Sequence, residues 1–110
     1  MLEKFIAEII GTFIFLGVII TSGHATSRCV DALSWIKIGL ALSISILLVG
    51  FVSGAHLNPA VSFMLFLNKD IDIKELFIYI VAQIIGAILA FLYYLFLNNN
   101  YKNLFINKNK

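Results

Sequence analysis

Apolar residues fill three long runs, 5–21, 35–52 and 76–97, and few polar positions break them. Each run is near the ~20 residues that a helix needs to cross a bilayer. Glu8 interrupts the first, Lys37 stands near the start of the second, and the third has no formal charge. In lipid a lone strand would leave its backbone polar groups unpaired, so the pattern predicts three spanning helices.

The stretch between the second and third runs differs. Ser53-Gly54-Ala55-His56-Leu57-Asn58-Pro59 reads as a loop, and Ala60 to Leu67 as a short apolar helix that stops at Asn68-Lys69-Asp70. As helix, 58–67 would extend ~15 Å, about half of the ~30 Å hydrocarbon core. A re-entrant half helix, an interfacial helix and a soluble helical hairpin all fit that length. The polar stretches are 23–34, 68–75 and 98–110. The last, rich in Asn and Lys with an apolar insert Leu104-Phe105-Ile106, reads as a disordered or interface-lying tail. No internal repeat is visible.

Composition turns three candidate spans into an integral membrane protein. The chain is 61% hydrophobic and 13% charged, against about 45–50% and about 25% for soluble domains. A mean hydropathy of +0.99 agrees, and a soluble core in so short a chain has no room for this much apolar surface. The net charge of +2 comes from scattered residues and forms no nucleic-acid stripe. Cys29 alone excludes an internal disulfide. With His24 and His56 it supplies too few ligands for a zinc cluster. Lys4 before an apolar run imitates a signal peptide, but Glu8 breaks the run and no clear small-x-small cleavage site follows at the right distance. No nucleophile–base pair is present, so neither enzyme chemistry nor a cofactor is expected.

Asn58-Pro59 is the strongest local signal. Asn is a good N-cap, and Pro is favoured at the first helical position. If the segment is re-entrant, the positive end of its helix dipole lies near mid-membrane. Asn amide N–H groups can then face a pore that repels cations and passes neutral solutes. Alone, the dipeptide is an ordinary helix start.

Its surroundings add a resemblance. Ser53 to Ser62 matches S-G-x-H-x-N-P-A-V-[ST], the first signature loop of the aquaporin and aquaglyceroporin family. Ala7-Glu8-Ile9-Ile10-Gly11-Thr12-Phe13 resembles the family's first-helix motif A-E-x-x-G-T-F. Tyr79 to Ala87 resembles its third-helix motif Y-x-x-A-Q-x-x-G-A. The likeness covers about Phe5 to Leu97. It implies an all-α membrane protein with three transmembrane helices and one re-entrant half helix, which is one repeat of the aquaporin fold. Residues 1–97 would form the N-terminal half, with helices at 5–21, 35–52, 58–67 (re-entrant) and 76–97, and 98–110 the tail. The family's second N-P-A loop and the arginine that follows it do not occur in the chain, and Arg28, in the loop after the first helix, does not replace that arginine.

Residue by residue, the resemblance implies that Asn58, Pro59, Ala60 and His56 form the pore motif. Glu8 supports the loop through hydrogen bonds; the alternative is a Glu reaching for headgroups from the helix end. The alternative for His56 is simple packing of the loop. Ile38, 20 residues before Asn58, falls where the second helix contributes to the selectivity constriction, unless loop lengths shift the register. An Ile there would widen and grease the filter. Ala82, Gly86 and Ala90 share a helix face, which with Gly11 allows close helix packing in lipid. Gln83 is expected to face the protein interior, where its amide finds partners.

The family's orientation would put Lys4, Lys69 and Lys74 inside, and Arg28, Lys37, Lys102, Lys108 and Lys110 outside. That distribution does not follow the positive-inside rule: the orientation is inverted, or it is mixed, or the tail overrides little, and a mixed orientation would let two copies pair antiparallel. The function implied is an aquaporin-like channel subunit for passive transport of water or small neutral solutes such as glycerol. The alternative is a truncated, non-conducting membrane protein, either a relic or a modifier of full-length channels. The partners implied are the lipid bilayer and a second copy or another aquaporin-like half to complete a pore. A tetrameric assembly is compatible with this.

Overall fold

The computed structural model describes residues 1–22 and 33–108, and side chains to Asn100 together with Lys102. Four helices follow one another: α1 (Leu2–Thr21), α2 (Ser34–Ser53), α3 (Pro59–Leu67) and α4 (Ile73–Lys108). No strand occurs among the described residues. Three of the helices are long and apolar enough to cross a membrane: α1, α2 and the segment Ile73–Asn100 of α4. His24, Arg28 and Cys29 lie outside the described residues.

The apolar and polar residues are distributed as lipid, not water, requires. On α2 the buried stripe is Ser34, Ala41, Ser45, Val49 and Ser53, spaced by seven and then by fours. Leu40, Ile44, Leu47 and Phe51 face outward, Phe51 being 86% exposed. Small and polar side chains thus line the helix seams and large apolar ones cover the outside, because lipid rewards close backbone approach and not burial of Leu.

α1 is the shared wall. It packs against both α2 and α4, and α3 packs against α4. Two glycines set the spacing. A Cβ on Gly86 would stand 2.8 Å from the Ile9 carbonyl oxygen and 3.2 Å from the Phe13 nitrogen, so α4 touches the α1 backbone there. A Cβ on Gly11 would meet Leu57 Cδ2 at 2.5 Å and Val49 Cγ2 at 2.8 Å. Ala82 and Ala90 are buried on the same stripe of α4 as Gly86.

The half-length segment is re-entrant. Lys4 Nζ lies 3.5 Å from Glu75 Oε1, so α1 and α4 begin at the same membrane face. Asn58 and Pro59 share a groove with Thr12, Phe15 and Leu16 of α1 and with Gln83, Ile84 and Ala87 of α4, all near mid-span. α3 therefore starts at mid-depth and returns to the face where α4 begins, which excludes an interfacial helix or a soluble hairpin. Its nine residues rise ~13.5 Å. The return is tight. Asp70 N–H bonds the Leu65 carbonyl and Lys69 N–H that of Phe66, a Schellman ending with Lys69 at φ +65°. α4 then opens with a capping box: Glu75 N–H donates to Asp72 Oδ1 (2.8 Å) and Asp72 N–H to Glu75 Oε2 (3.1 Å).

One boundary needs correction: the last helix does not run over 76–97 but from Ile73 to Lys108, so α4 continues through the polar stretch that begins at Asn98. The change from apolar to polar side chains marks where the lipid-compatible span ends. It does not break the helix, since neither Gly nor Pro interrupts the backbone bonding there.

Candidate functional site

Glu8 is the centre of the site. It sits two turns into an apolar helix and is completely buried. A carboxyl group at such depth needs every acceptor position filled. Oε1 accepts from Ser53 Oγ at 2.7 Å and from the His56 N–H at 2.9 Å. Oε2 accepts from the Leu57 N–H at 2.8 Å and from Gln83 Nε2 at 3.0 Å. One side chain of α1 thereby holds the end of α2, two successive loop amides and the middle of α4.

The loop is shaped to present those amides. Gly54, at φ +84°, ends α2 in the left-handed region. Ala55 and Leu57 follow with φ of 49° and 54°. For residues with a Cβ this conformation costs roughly 1–2 kcal/mol each. The cost is offset because the turn aims the His56 and Leu57 N–H groups at one carboxyl group, a small anion-binding concavity. It also drives the Leu57 side chain into the apolar cluster with Ala7 and Val49.

A second layer fixes the loop from the α4 side. The His56 ring stacks on Tyr79, with centroids 3.9 Å apart and planes 11° from parallel. The Tyr79 hydroxyl donates to the Ser53 carbonyl at the end of α2. His56 Nδ1 lies 2.9 Å from Ser62 Oγ, and Gln83 Nε2 donates to the same oxygen at 3.0 Å. Removing only the Tyr79 hydroxyl, by Tyr79→Phe, keeps the stack and strands the Ser53 carbonyl. The expected loss is about 1–2 kcal/mol of stability, read as a lower unfolding midpoint in mild detergent.

At the tip, Asn58 has an extended backbone (φ −154°, ψ 126°) and caps α3, its Oδ1 accepting the Ala60 N–H at 2.8 Å. Pro59 takes the first helical position. The Asn58 side chain is exposed, and with its oxygen turned to the helix its amide N–H groups point elsewhere and donate to no described protein group. The result is a helix N-terminus at mid-depth carrying free donors.

The structure thus brings Glu8, His56, Gln83, Asn58, Pro59 and Ala60 together, with Gly11 and Gly86 closing the packing around them. Ile38 stands apart. It is partly exposed and lies 15 residues before Ser53 on the same helix, about 22 Å along it. Ser53, Ser62 and Tyr79 were not singled out from the sequence as site residues. Buried in a chain this apolar, each signals a required hydrogen bond, and for Tyr79 the helical spacing to Gln83, one turn on, was the available clue.

Comparison with known proteins agrees with this build. The chain matches the family model for major intrinsic protein over residues 1–110. It is 41% identical over 94 residues to the glycerol uptake facilitator protein-like 6 of Lactiplantibacillus plantarum, covering 81% of the chain and 41% of that protein. It is 38% identical over 108 residues to the glycerol uptake facilitator protein of Buchnera aphidicola subsp. Schizaphis graminum, covering 90% of the chain and 40% of that protein. With aquaporin-1 of Ovis aries it shares 38% identity over 100 residues, covering 82% and 36%. The chain thus spans about two fifths of the length of these relatives.

Proposed function

The chain belongs to the major intrinsic protein family and is an integral, multi-pass membrane protein, and from that premise we propose that it forms one wall of a channel for water and small neutral solutes such as glycerol. Transport is passive diffusion, with no bond made or broken. The observation that carries this reading is the free Asn58 amide at the mid-depth N-terminus of α3. A neutral solute passing there accepts a hydrogen bond from the amide. A cation meets the positive end of the α3 dipole and is repelled.

In this reading Pro59 and Ala60 fix where α3 starts, His56 helps to line the approach, and Glu8 and Gln83 act as positioning residues that hold the loop. Ile38 contributes an apolar side to the constriction. Three spanning helices and a half helix make only one wall, so the opposite wall comes from a second copy or another aquaporin-like half, and larger assemblies, including tetramers, remain compatible. The relatives' names, glycerol uptake facilitator and aquaporin, support this solute class.

The test is solute flux. The chain reconstituted in liposomes, in both orientations, should speed shrinkage in a sorbitol gradient and re-swelling in glycerol. Asn58→Asp places a carboxylate at the helix N-terminus and removes the donors. It is expected to return water and glycerol flux towards the rate of empty liposomes while the protein still inserts. If the unaltered chain, with insertion verified, matches empty liposomes, the self-assembled channel is excluded, and the chain alone is non-conducting.

A further inference from the structure

α3 ends in the middle of the membrane with one side bare. Of its nine residues only Ser62 is buried, and Pro59, Ala60, Phe63, Met64 and Leu67 are exposed. Lipid can cover Phe63, Met64 and Leu67, but not the tip. There the Asn58 amide donates to no described group, and the carbonyls of residues 54–57 accept from no described group. Irregular backbone at this depth is tolerated only against protein or enclosed water. Beyond the tip, the same side of the chain is walled by α1 and α4 alone, through Phe15, Leu16, Ile84 and Ala87. A second body must therefore occupy the half of the membrane that α3 does not reach.

We propose that this body is a second copy of the chain, inserted the other way up and related to the first by a two-fold axis in the membrane plane beside Asn58. Nine residues of helix rise ~13.5 Å, so two copies of α3, tip to tip, span ~27 Å of the ~30 Å hydrocarbon core. A copy in the same orientation brings its α3 into the half already filled and leaves both tips open. The inverted contact is self-complementary, each α3 lying against α1 and α4 of the other copy. The two positive helix ends face each other, but each is capped by its own Asn58 Oδ1 and has the free loop carbonyls beside it, which offset the repulsion. Both orientations are open to the chain, because Lys and Arg near the spans set orientation. Of its eight such residues, three flank the side where α1 and α4 begin and five, by chain order, the other. The pairing rests on the one-wall reading above and names the partner that completes that site.

The test is thiol cross-linking in bacterial membranes, with two variants co-expressed in a Cys29→Ser background. Phe63 and Phe91 are exposed, so cysteines there disturb little. Within one copy they differ in depth: Gln83 bonds Ser62, the neighbour of Phe63, and Phe91 lies two turns further along α4, ~12 Å higher. In the inverted pair, Phe63 of one copy comes level with Phe91 of the other, whereas the two copies of Phe63 stand ~15 Å apart in depth. Phe63→Cys and Phe91→Cys chains together, treated with a short bis-maleimide, should give a covalent dimer, and neither variant alone should. A dimer from Phe63→Cys alone marks a same-orientation pair and overturns the proposal. So does the absence of a dimer from the mixture when insertion is verified. Lys69→Asn with Lys74→Gln leaves Lys4 as the one basic residue on its side, which should fix a single orientation and lower the dimer yield several-fold; an unchanged yield overturns insertion in both orientations. Solute flux is read separately. A dimer that passes neither water nor glycerol keeps the pairing and rejects the channel, and flux without a dimer keeps the channel and rejects the pairing.

Discussion

Replacing Glu8 by Ala is expected to abolish the folded loop. Four donors converge on this carboxyl group: Ser53 Oγ, the N–H groups of His56 and Leu57, and Gln83 Nε2. Each buried donor left without a partner costs about 1–3 kcal/mol. Even with partial relaxation, the loss is about 4 kcal/mol or more, a large share of the ~5–15 kcal/mol that holds a typical domain together. Inside a bilayer water offers little relief. Glu8→Gln is expected to fall in between. Its oxygen serves one side of the cluster, while its NH₂ group points at donors on the other. The order of unfolding midpoints in mild detergent should be unaltered chain, then Gln, then Ala. Solute flux should vanish with Ala even where protein is recovered. Equal midpoints for the Ala variant and the unaltered chain would show that the carboxyl group is not what holds the loop.

The second large effect is expected at Gly86. Any side chain there meets the α1 backbone, because a Cβ would stand 2.8 Å from the Ile9 carbonyl oxygen. Backbone of a packed helix does not swing away as a flexible side chain does, so α1 and α4 must separate. Gly86→Ala is expected to cost about 1–3 kcal/mol through overpacking, and Gly86→Leu to prevent native packing. Gly17→Ala is the control: nothing lies within 4 Å of a Cβ at that position. Measured side by side in detergent, the Gly17 variant should melt with the unaltered chain and the Gly86 variants well below it. Gly11→Ala falls between these limits, since a Cβ there meets the side chains of Leu57 and Val49 and not backbone.

Most of the architecture was legible in the residues because lipid allows few solutions. Three apolar runs of spanning length had to be helices, and Asn58-Pro59 marked the start of α3 within one residue. Depth was not legible from the pattern: the same ten residues also fit an interfacial helix until Thr12 and Gln83 were found beside Asn58. The end of α4 was misplaced for a related reason. Hydropathy reports the environment of a segment, and Asn98 to Lys108 leaves the apolar span without leaving the helix. In the site, Glu8 announced itself as a carboxyl group in an apolar run. Its bond to Gln83 did not, because the two partners stand 75 residues apart in the chain.

That sequence distance bears on the order of assembly. Glu8 waits on α1 for donors that arrive 45 to 49 residues later with Ser53, His56 and Leu57. Ser62 and the Ser53 carbonyl then wait for Gln83 and Tyr79, a further 21 and 26 residues along. As the chain emerges from the ribosome, the bond between α1 and the loop can close first. The half helix, with its polar atoms only partly matched, cannot settle at mid-depth until α4 has entered the membrane. α1 therefore has to remain beside the point of insertion rather than diffuse into lipid. Nascent chains halted before Gln83 leaves the ribosome should keep Ser62 accessible to water-borne labelling after Ser62→Cys, and chains halted after the whole of α4 has inserted should not.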